Sequence, residues 1–113
     1  MNNTGCVFCS IIAKKVPSTI VEETPDVLVI KDIAPKAPVH YLIITKKHIE
    51  NIKALTSADS QLAADLLLMA GNLSKKLSSP QAFRLVVNDG AQAGQRVFHL
   101  HIHFLAGSQM TDF

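Results

Sequence analysis

Three histidines alternate with apolar residues near the carboxyl end of this 113-residue chain, in the run Phe98-His99-Leu100-His101-Ile102-His103-Phe104. Successive side chains of a strand point to opposite faces, which predicts three imidazoles on one face, about 6.6 Å apart, and four apolar side chains in the core. A neutral imidazole keeps a lone pair, which suits it to act as a nucleophile or a metal ligand. A strand of merely solvated histidines is the weaker interpretation, since three of the five histidines fall within five residues.

A second group of potential ligands lies at Cys6-Val7-Phe8-Cys9. A redox pair of the thioredoxin type needs a preceding strand, and only five residues precede Cys6. The C-x-x-C spacing also suits half of a zinc site, which would need two further ligands. Two buried, reduced cysteines are the alternative. Two cysteines cannot form a disulfide framework, and no secretory signal pattern is visible, so we expect a cytoplasmic setting.

The run Asn88-Asp89-Gly90-Ala91-Gln92-Ala93-Gly94-Gln95 comes immediately before the histidine strand. Glycine lets a backbone approach a ligand closely and present its N–H groups, which favours a phosphate-facing loop. Asn, Asp and Gly are also common in plain connections between strands. Taken alone, the loop is compatible with either interpretation.

The elements that position these residues follow from hydrophobic periodicity. Residues 6–15 predict a helix with Val7, Phe8, Ile11 and Ile12 on one face, and residues 56–79 predict a long helix capped at Thr56 or Ser57 and ended by Pro80. Five strands are predicted, at 19–23, 27–33, 39–45, 83–88 and 97–105. We therefore expect a single α+β domain over residues 1–113, with a mainly antiparallel five-stranded sheet, one short helix and one long helix.

Charge and hydrophobicity narrow the range of partners. A formal charge of +2 with lysines only in ones and twos argues against a nucleic acid polymer. The longest apolar stretches fall far short of the roughly 20 residues that span a membrane. A small anionic ligand remains compatible, because it needs only local donors.

The sequence resembles the histidine triad family, whose signature alternates three histidines with apolar residues and ends on two apolar residues. The segment His99-Leu100-His101-Ile102-His103-Phe104-Leu105 matches every position. The resemblance extends to residues 33–40, Ile33-Ala34-Pro35-Lys36-Ala37-Pro38-Val39-His40, and to the loop with Asn88, Gly94 and Gln95. It is strongest to the branch of nucleoside phosphoramidate hydrolases.

The resemblance implies a role for each of three histidines. His101 would attack the α-phosphorus and form a nucleotidyl-histidine, which water then hydrolyses. A backbone carbonyl would hold one nitrogen of that ring protonated. His103 would donate to a phosphate oxygen, and His40 on the neighbouring strand would support the orientation of the triad.

It also implies a binding site for a purine nucleotide such as AMP or GMP. Asn88, Gly94 and Gln95 would contact the phosphate, and Asp32 would accept from the ribose hydroxyls. Phe8, Ile11, Ile30 and Ile33 would line the base pocket, although from the residues alone such apolar side chains are more often core than pocket. Relatives often have Ser or Thr where this chain has Arg96, whose guanidinium could bind an anionic phosphate or turn to solvent.

The resemblance further implies a structural zinc ion held by Cys6, Cys9, His48 and His99, with no organic cofactor. It implies a homodimer in which two sheets join edge to edge into one of ten strands.

The leading hypothesis is thus a hydrolase of purine nucleoside 5′-phosphoramidates or aminoacyl-adenylates. Two alternatives remain at this point, a dinucleoside polyphosphate hydrolase and a non-catalytic nucleotide-binding module.

Overall fold

A computed structural model describes residues 5–112, so residues 1–4 and 113 of the predicted domain lie outside the described part. Two helices, α1 (Val7–Ile12) and α2 (Ser60–Ser74), accompany one sheet. Its strands, in chain order, are β1 (Ile20–Glu23), β2 (Val27–Lys31), β3 (Val39–Thr45), β4 (Phe83–Val86) and β5 (His101–Ala106). Short 3₁₀ turns lie at Ile52–Ala54, Ser57–Asp59 and Ala91–Ala93.

The sheet is antiparallel throughout and has the order β1-β2-β3-β5-β4. The predicted α+β class, with five strands, one short helix and one long helix, is confirmed. In the register of β3 and β5, Ile44 lies opposite His101 and Leu42 lies opposite His103. The two strands that carry the candidate chemistry are therefore neighbours at the centre of the sheet.

Each face of the sheet packs against one helix. One core holds α2 against alternate strand residues, among them Val27, Val29, Ile43, Ile102 and Phe104. The other core holds Phe8 and Ile11 of α1 against the intervening strand residues, Leu28, Ile30, Leu42 and Ile44. The His101 and His103 side chains lie on the α1 face, because Ile102 and Phe104 between them are buried towards α2.

The predicted fifth strand, at 97–105, begins four residues too early. Strand β5 starts at His101 because its partner β3 ends at Thr45, one residue beyond Ile44, the partner of His101. Past that point the N–H of Leu100 donates to the carbonyl of Ile49, outside the ladder. Alternation therefore does not extend to Phe98. This residue was predicted to lie in the core, but its side chain is 44% exposed.

The strand predicted at 39–45 has the predicted bounds, and the other elements exist with shorter bounds. The helix predicted at 6–15 covers Val7–Ile12, and Val7 is exposed instead of sharing the apolar face with Phe8 and Ile11. The helix predicted at 56–79 is a 3₁₀ turn followed by α2, and it tightens after Ser74 into bonds between residues three apart. The strands predicted at 27–33 and 83–88 each end two residues early. None of the helices within residues 5–112 has the length and apolar character needed to cross a membrane.

A capping box starts the segment that leads into α2, as the sequence predicted for Thr56. The Asp59 carboxylate accepts from the backbone N–H of Thr56 at 3.0 Å, and the Thr56 side chain accepts in return from the N–H three residues on. The other Asp59 oxygen accepts from the Lys47 ammonium at 2.8 Å. These bonds satisfy N–H groups that have no partner within the helix.

Replacing Asp59 by Asn should lower the Tm at neutral pH by a few degrees, because the charge that holds Lys47 and Thr56 is lost. The Lys47 ammonium, followed by the Thr56 N–H, lowers the pKa of Asp59 below its ordinary 3.8. The carboxylate therefore stabilises the fold above about pH 4, and this contribution is lost as the pH falls through the lowered pKa. Thermal scans should show the difference in Tm closing in acid.

The matched control is Asp26→Asn, in the exposed turn between β1 and β2. An equal loss of Tm in the control, or a difference that widens in acid, would contradict this account of the cap.

Candidate active site

His101 is held in one tautomer by the chain itself. Its Nδ1 lies 2.7 Å from the backbone carbonyl oxygen of His99. A carbonyl can only accept, so Nδ1 carries the hydrogen and Nε2 keeps its lone pair. Burial lowers the pKa of His101 below the ordinary 6.5, which favours the neutral ring that a nucleophile requires.

The Phe8 ring packs edge-on against His101, with 5.0 Å between the ring centroids and 82° between the planes. Phe8 also contacts His99 in the same manner, at 5.8 Å. Helix α1 therefore covers the two imidazoles with one aromatic ring. This contact fixes the plane of His101 and removes water from one side of it.

His103 is oriented through His40. The Nε2 atom of His40 lies 2.9 Å from Nδ1 of His103, and Nδ1 of His40 accepts from the backbone N–H of Lys36 at 3.0 Å. Since an amide N–H can only donate, the His40 hydrogen must sit on Nε2, from which it donates to His103. His103 then carries its own hydrogen on Nε2. Burial, and after it the neighbouring His101 and His40, lowers the pKa of His103.

Asp32 joins this group from the end of β2. Its Oδ2 lies 3.4 Å from Nε2 of His40, and its Oδ1 accepts from the N–H of Ala34 at 2.7 Å. Asp32, His40 and His103 thus form one connected cluster. The rings of His101 and His103 are 5.1 Å apart between centroids, so the cluster borders the candidate nucleophile.

The loop before the histidines is fixed by Gln95, whose side chain is almost fully buried. Its amide oxygen accepts from the N–H of Gly90 at 2.8 Å, and its amide nitrogen donates to the carbonyls of Glu50 and Val97. Gly90 and Gly94 have φ values of 94° and 108°, in the region that favours glycine. The Gln95 side chain is therefore committed to backbone groups, and its own N–H donates to the carbonyl of Gly90 at 3.1 Å, so Gln95 holds the shape of the loop.

The other residues that the sequence placed in a nucleotide site are distributed around these elements. Phe8, Ile11 and Ile30 share the core cluster under α1. Ile33 is fully exposed. Asn88 lies within 4 Å of the position that a Cβ atom on Gly94 would occupy, so the two predicted phosphate-contacting residues are adjacent. Arg96 is exposed and lines a depression of about 280 Å³ with the start of α1.

The two cysteines, Cys6 and Cys9, converge with His48 and His99 next to the candidate nucleophile. The Cys6 sulfur lies 3.2 Å from Nδ1 of His99, and the Cys9 sulfur lies 3.2 Å from Nδ1 of His48 and 3.5 Å from that of His99. All four potential ligand atoms lie within 4.8 Å of one another. A tetrahedral ion with bonds of about 2.0–2.3 Å needs ligand atoms roughly 3.3–3.8 Å apart, so this donor set could hold a metal.

The hydrogen bonds of the cluster agree with that use. His99 is fully buried, and its Nε2 donates to the carbonyl of Thr45 at 2.6 Å, which leaves the Nδ1 lone pair facing the sulfurs. An imidazole held in this way is the usual form of a histidine ligand. Burial, followed by the Cys6 thiol, raises the pKa of Cys9 to about 11. A cation between the sulfurs would be needed to hold them as thiolates.

The resemblance implied a backbone carbonyl at His101, but sequence reasoning missed the backbone groups that orient His40 and His99. The N–H of Lys36 fixes the tautomer of His40, and the carbonyl of Thr45 fixes that of His99. Bonds to backbone groups cannot be predicted from residue type. The turn bounded by Pro35 and Pro38 was visible in the sequence, although not the direction of its N–H groups. The contact of Asp32 with His40 was also missed, since the two residues are eight positions apart.

Comparison with known proteins gives one consistent family. A family model described as HIT domain matches residues 13–110. An uncharacterised HIT-like protein of Synechocystis sp. is 45% identical over 101 residues, which are 89% of each chain. The solved structure of a HIT family hydrolase from Clostridium thermocellum has a TM-score of 0.93 at 43% identity and covers 99% of this chain and 98% of that one. For a HIT family hydrolase from Legionella pneumophila the TM-score is 0.90 at 42% identity, with 95% and 96% covered.

Replacing Gln95 by Ala should destabilise the fold by about 1–3 kcal/mol, because the N–H of Gly90 and the carbonyls of Glu50 and Val97 lose the buried amide that they bond. Urea denaturation measures the change. Gln109→Ala is the matched control, since Gln109 is exposed and its amide has only one bond, of 3.5 Å to the next carbonyl. A loss in Gln95→Ala no larger than in the control would contradict the structural role assigned to Gln95.

Proposed function

This chain belongs to the HIT domain family, and we propose that it hydrolyses purine nucleoside 5′-phosphoramidates or aminoacyl-adenylates through a covalent intermediate on His101. One observation carries the proposal. His101 and His103 are neighbouring rings locked in opposite tautomers, one presenting a lone pair at Nε2 and the other an N–H at Nε2. A nucleophile beside a hydrogen-bond donor is what displacement at phosphorus requires.

In the first step, the Nε2 lone pair of His101 forms a bond to the α-phosphorus, and the bond from phosphorus to the amine breaks. The amine leaves with a proton from solvent. The Nδ1 hydrogen of His101 stays on its bond to the His99 carbonyl, so the positive charge on the nucleotidylated ring is met by a carbonyl dipole. His103 donates to a phosphate oxygen as negative charge develops there.

In the second step, water attacks the phosphorus and the bond to His101 breaks. Nε2 regains its lone pair, and the water proton passes to solvent as the nucleoside monophosphate leaves. Division of one displacement into two lowers each barrier. His40 keeps His103 in the donor form through both steps, since its own hydrogen is fixed by Lys36.

The nucleotide would bind across the α1 face. In this proposal the loop with Asn88, Gly94 and Gln95 lies against the phosphate, with Arg96 at its edge. Asp32 accepts from the ribose hydroxyls. The base lies towards Phe8, Ile11 and Ile30, with exposed Ile33 available to close over it.

The cluster of Cys6, Cys9, His48 and His99 would hold a zinc ion. Four protein ligands close its coordination shell, so the ion would be structural and would tie α1 to the strand that carries His101. His99 supports this arrangement in two ways, because its side chain faces the cysteines and its carbonyl holds the nucleophile. The free thiols fit a reducing setting, and we place the protein in the cytoplasm.

A homodimer would extend the sheet. Strands β1 and β4 are the two edges of the described sheet, and each can add a strand. Exposed Leu67 and Leu68 on α2, and Phe83 on β4, provide apolar surface for such a contact. A ten-stranded sheet across two copies is the form we propose.

Replacing His101 by Asn should lower the rate of hydrolysis of an adenosine 5′-phosphoramidate by at least about a thousandfold. AMP should still bind, because only the attacking atom is lost. Mass spectrometry of the parent protein quenched during turnover should find a nucleotidyl adduct on His101. Hydrolysis by His101→Asn at the parent rate would refute the mechanism. Faster turnover of a diadenosine polyphosphate than of the phosphoramidate would favour the alternative substrate class.

Replacing Cys9 by Ser should remove the metal and lower the Tm by about 10 °C, because a ligand of the cluster that joins α1 to His99 is weakened. Elemental analysis should find about one zinc per chain in the parent protein and much less in the variant. The matched control is Ser10→Ala, on the same helix. A folded parent protein that holds no metal, with a Tm that a chelator leaves unchanged, would remove zinc from the proposal.

A further inference from the structure

One buried amide, that of Gln95, joins the two chain segments that carry the histidines of the proposed zinc site. Its Nε2 donates to the carbonyl of Glu50 at 2.8 Å and to that of Val97 at 3.1 Å. Glu50 lies two residues after His48, and Val97 lies two residues before His99. Because Gln95 is only 2% exposed, water has little access to these bonds. The amide therefore bridges the two segments close to the point where a metal ion would join them.

The same residue holds the loop of residues 88–95, the phosphate-facing loop of the proposed function. The Gln95 amide oxygen accepts from the N–H of Gly90 at 2.8 Å, and the Gln95 backbone N–H donates to the Gly90 carbonyl at 3.1 Å. At the other end of the loop, the Asp89 carboxylate accepts from the N–H of Lys53 at 2.9 Å and pairs with its ammonium. Both ends of the loop are thus bonded to the chain that follows His48.

The segment of residues 48–53 packs little against the rest of the described chain. Its core residue is Ile49, whose carbonyl also accepts from the N–H of Leu100 at 2.6 Å. Beyond it, the exposed side chains are those of Glu50, Ile52 and Lys53. The His48 and His99 rings lie 4.8 Å apart between centroids. A metal ion bound by both rings would therefore fix a spacing that otherwise depends on one apolar side chain and a few hydrogen bonds.

We propose that Gln95 couples the zinc site to the phosphate-facing loop, so that zinc and the nucleotide each raise the affinity of the protein for the other. This rests on the proposed function, in which the cluster holds zinc and the loop lies against the phosphate. A planar amide has two N–H groups in fixed directions, so Gln95 bonds both carbonyls only when Glu50 and Val97 have the right spacing. Its oxygen then keeps Gly90, and with it the loop, in place. Gln95 is a positioning residue.

Coupling between two sites is reciprocal. The factor by which zinc raises the affinity for AMP equals the factor by which AMP raises the affinity for zinc. A residue that only stabilised the loop would change the affinity for AMP equally with and without zinc, and this factor would stay as it was. A change of the factor in a Gln95 variant therefore distinguishes coupling from a merely structural role.

Calorimetric titration with AMP measures the factor, on protein loaded with Zn²⁺ and on protein kept free of metal by a chelator. We expect zinc to lower the Kd for AMP about tenfold in the parent protein. In Gln95→Ala the two Kd values should become nearly equal, although both are weaker than in the parent. The matched control is Gln109→Ala, at an exposed position, which should keep the parent factor.

A second variant and a second measurement separate the two halves of the Gln95 amide. Gln95→Glu keeps an oxygen for the N–H of Gly90 but lacks the two N–H groups that bond Glu50 and Val97, so zinc should no longer change its Kd for AMP. Hydrogen exchange of the Gly90 amide, followed by NMR, should be slower with zinc than without it in the parent protein. In Gln95→Glu the exchange rate should be the same with and without zinc.

The contrary outcomes are distinguishable. Equal Kd values for AMP with and without zinc in the parent protein, or the parent factor in both Gln95 variants, would overturn the coupling and leave the proposed hydrolysis and zinc site standing. If neither variant folds, exchange of the Gly90 amide in the parent decides, since a rate that zinc leaves unchanged overturns the coupling. A protein that binds no zinc, or no AMP in either state, would overturn the coupling together with that part of the proposed function.

Discussion

The hydrogen bond from His101 to the carbonyl of His99 is the constraint on which the site depends. His99 supplies the carbonyl that fixes the His101 ring and, through its side chain, a potential ligand that faces two cysteines. The side chain is fixed at its other nitrogen by the Thr45 carbonyl at the end of β3. The position of His101 therefore follows from β3 and α1 as much as from its own strand.

Backbone groups set the tautomers of three rings in this site, and there is a physical reason for that choice. A side chain such as Ser or another histidine can donate or accept, so a ring bonded only to side chains could reverse its hydrogen. The N–H of Lys36 and the carbonyls of His99 and Thr45 cannot change roles. Burial of the imidazoles adds to this, since it lowers the pKa of His99, His101 and His103 and favours their neutral forms.

The sequence predicted well what depends on periodicity, and less well what depends on where a neighbouring strand ends. Alternation from His101 to Phe104 placed histidines and apolar residues on opposite faces, and the sheet has them so. The same alternation failed at Phe98, because β3 had already ended and no ladder continued there. The cap at Thr56, which starts the 3₁₀ turn leading into α2, was one of two candidates readable from the sequence, since it is local.

For the candidate site, the residue types identified which side chains meet but not how they are bonded. Gln95 was expected at a phosphate, and its side chain bonds the N–H of Gly90 within that loop and the carbonyls of Glu50 and Val97 outside it. Burial of this kind follows from the path of the chain around Glu50, which no local pattern encodes. The convergence of Cys6, Cys9, His48 and His99 needed the resemblance to a family, since 93 residues separate its first and last members.

The two faces of β5 have different roles. One face packs against α2, and the other presents His101 and His103. On the α2 face, Ile102 and Phe104 are buried among apolar side chains such as those of Val29 and Ile43. The His101 and His103 side chains alternate along β5 with Ile102 and Phe104. The strand therefore cannot turn the two histidines away from α1 without moving these apolar residues out of the core. A single change of register in β5 would exchange the faces and bury two imidazoles against α2. The packing of α2 is therefore as much a condition for the alignment of His101 as any bond to its ring.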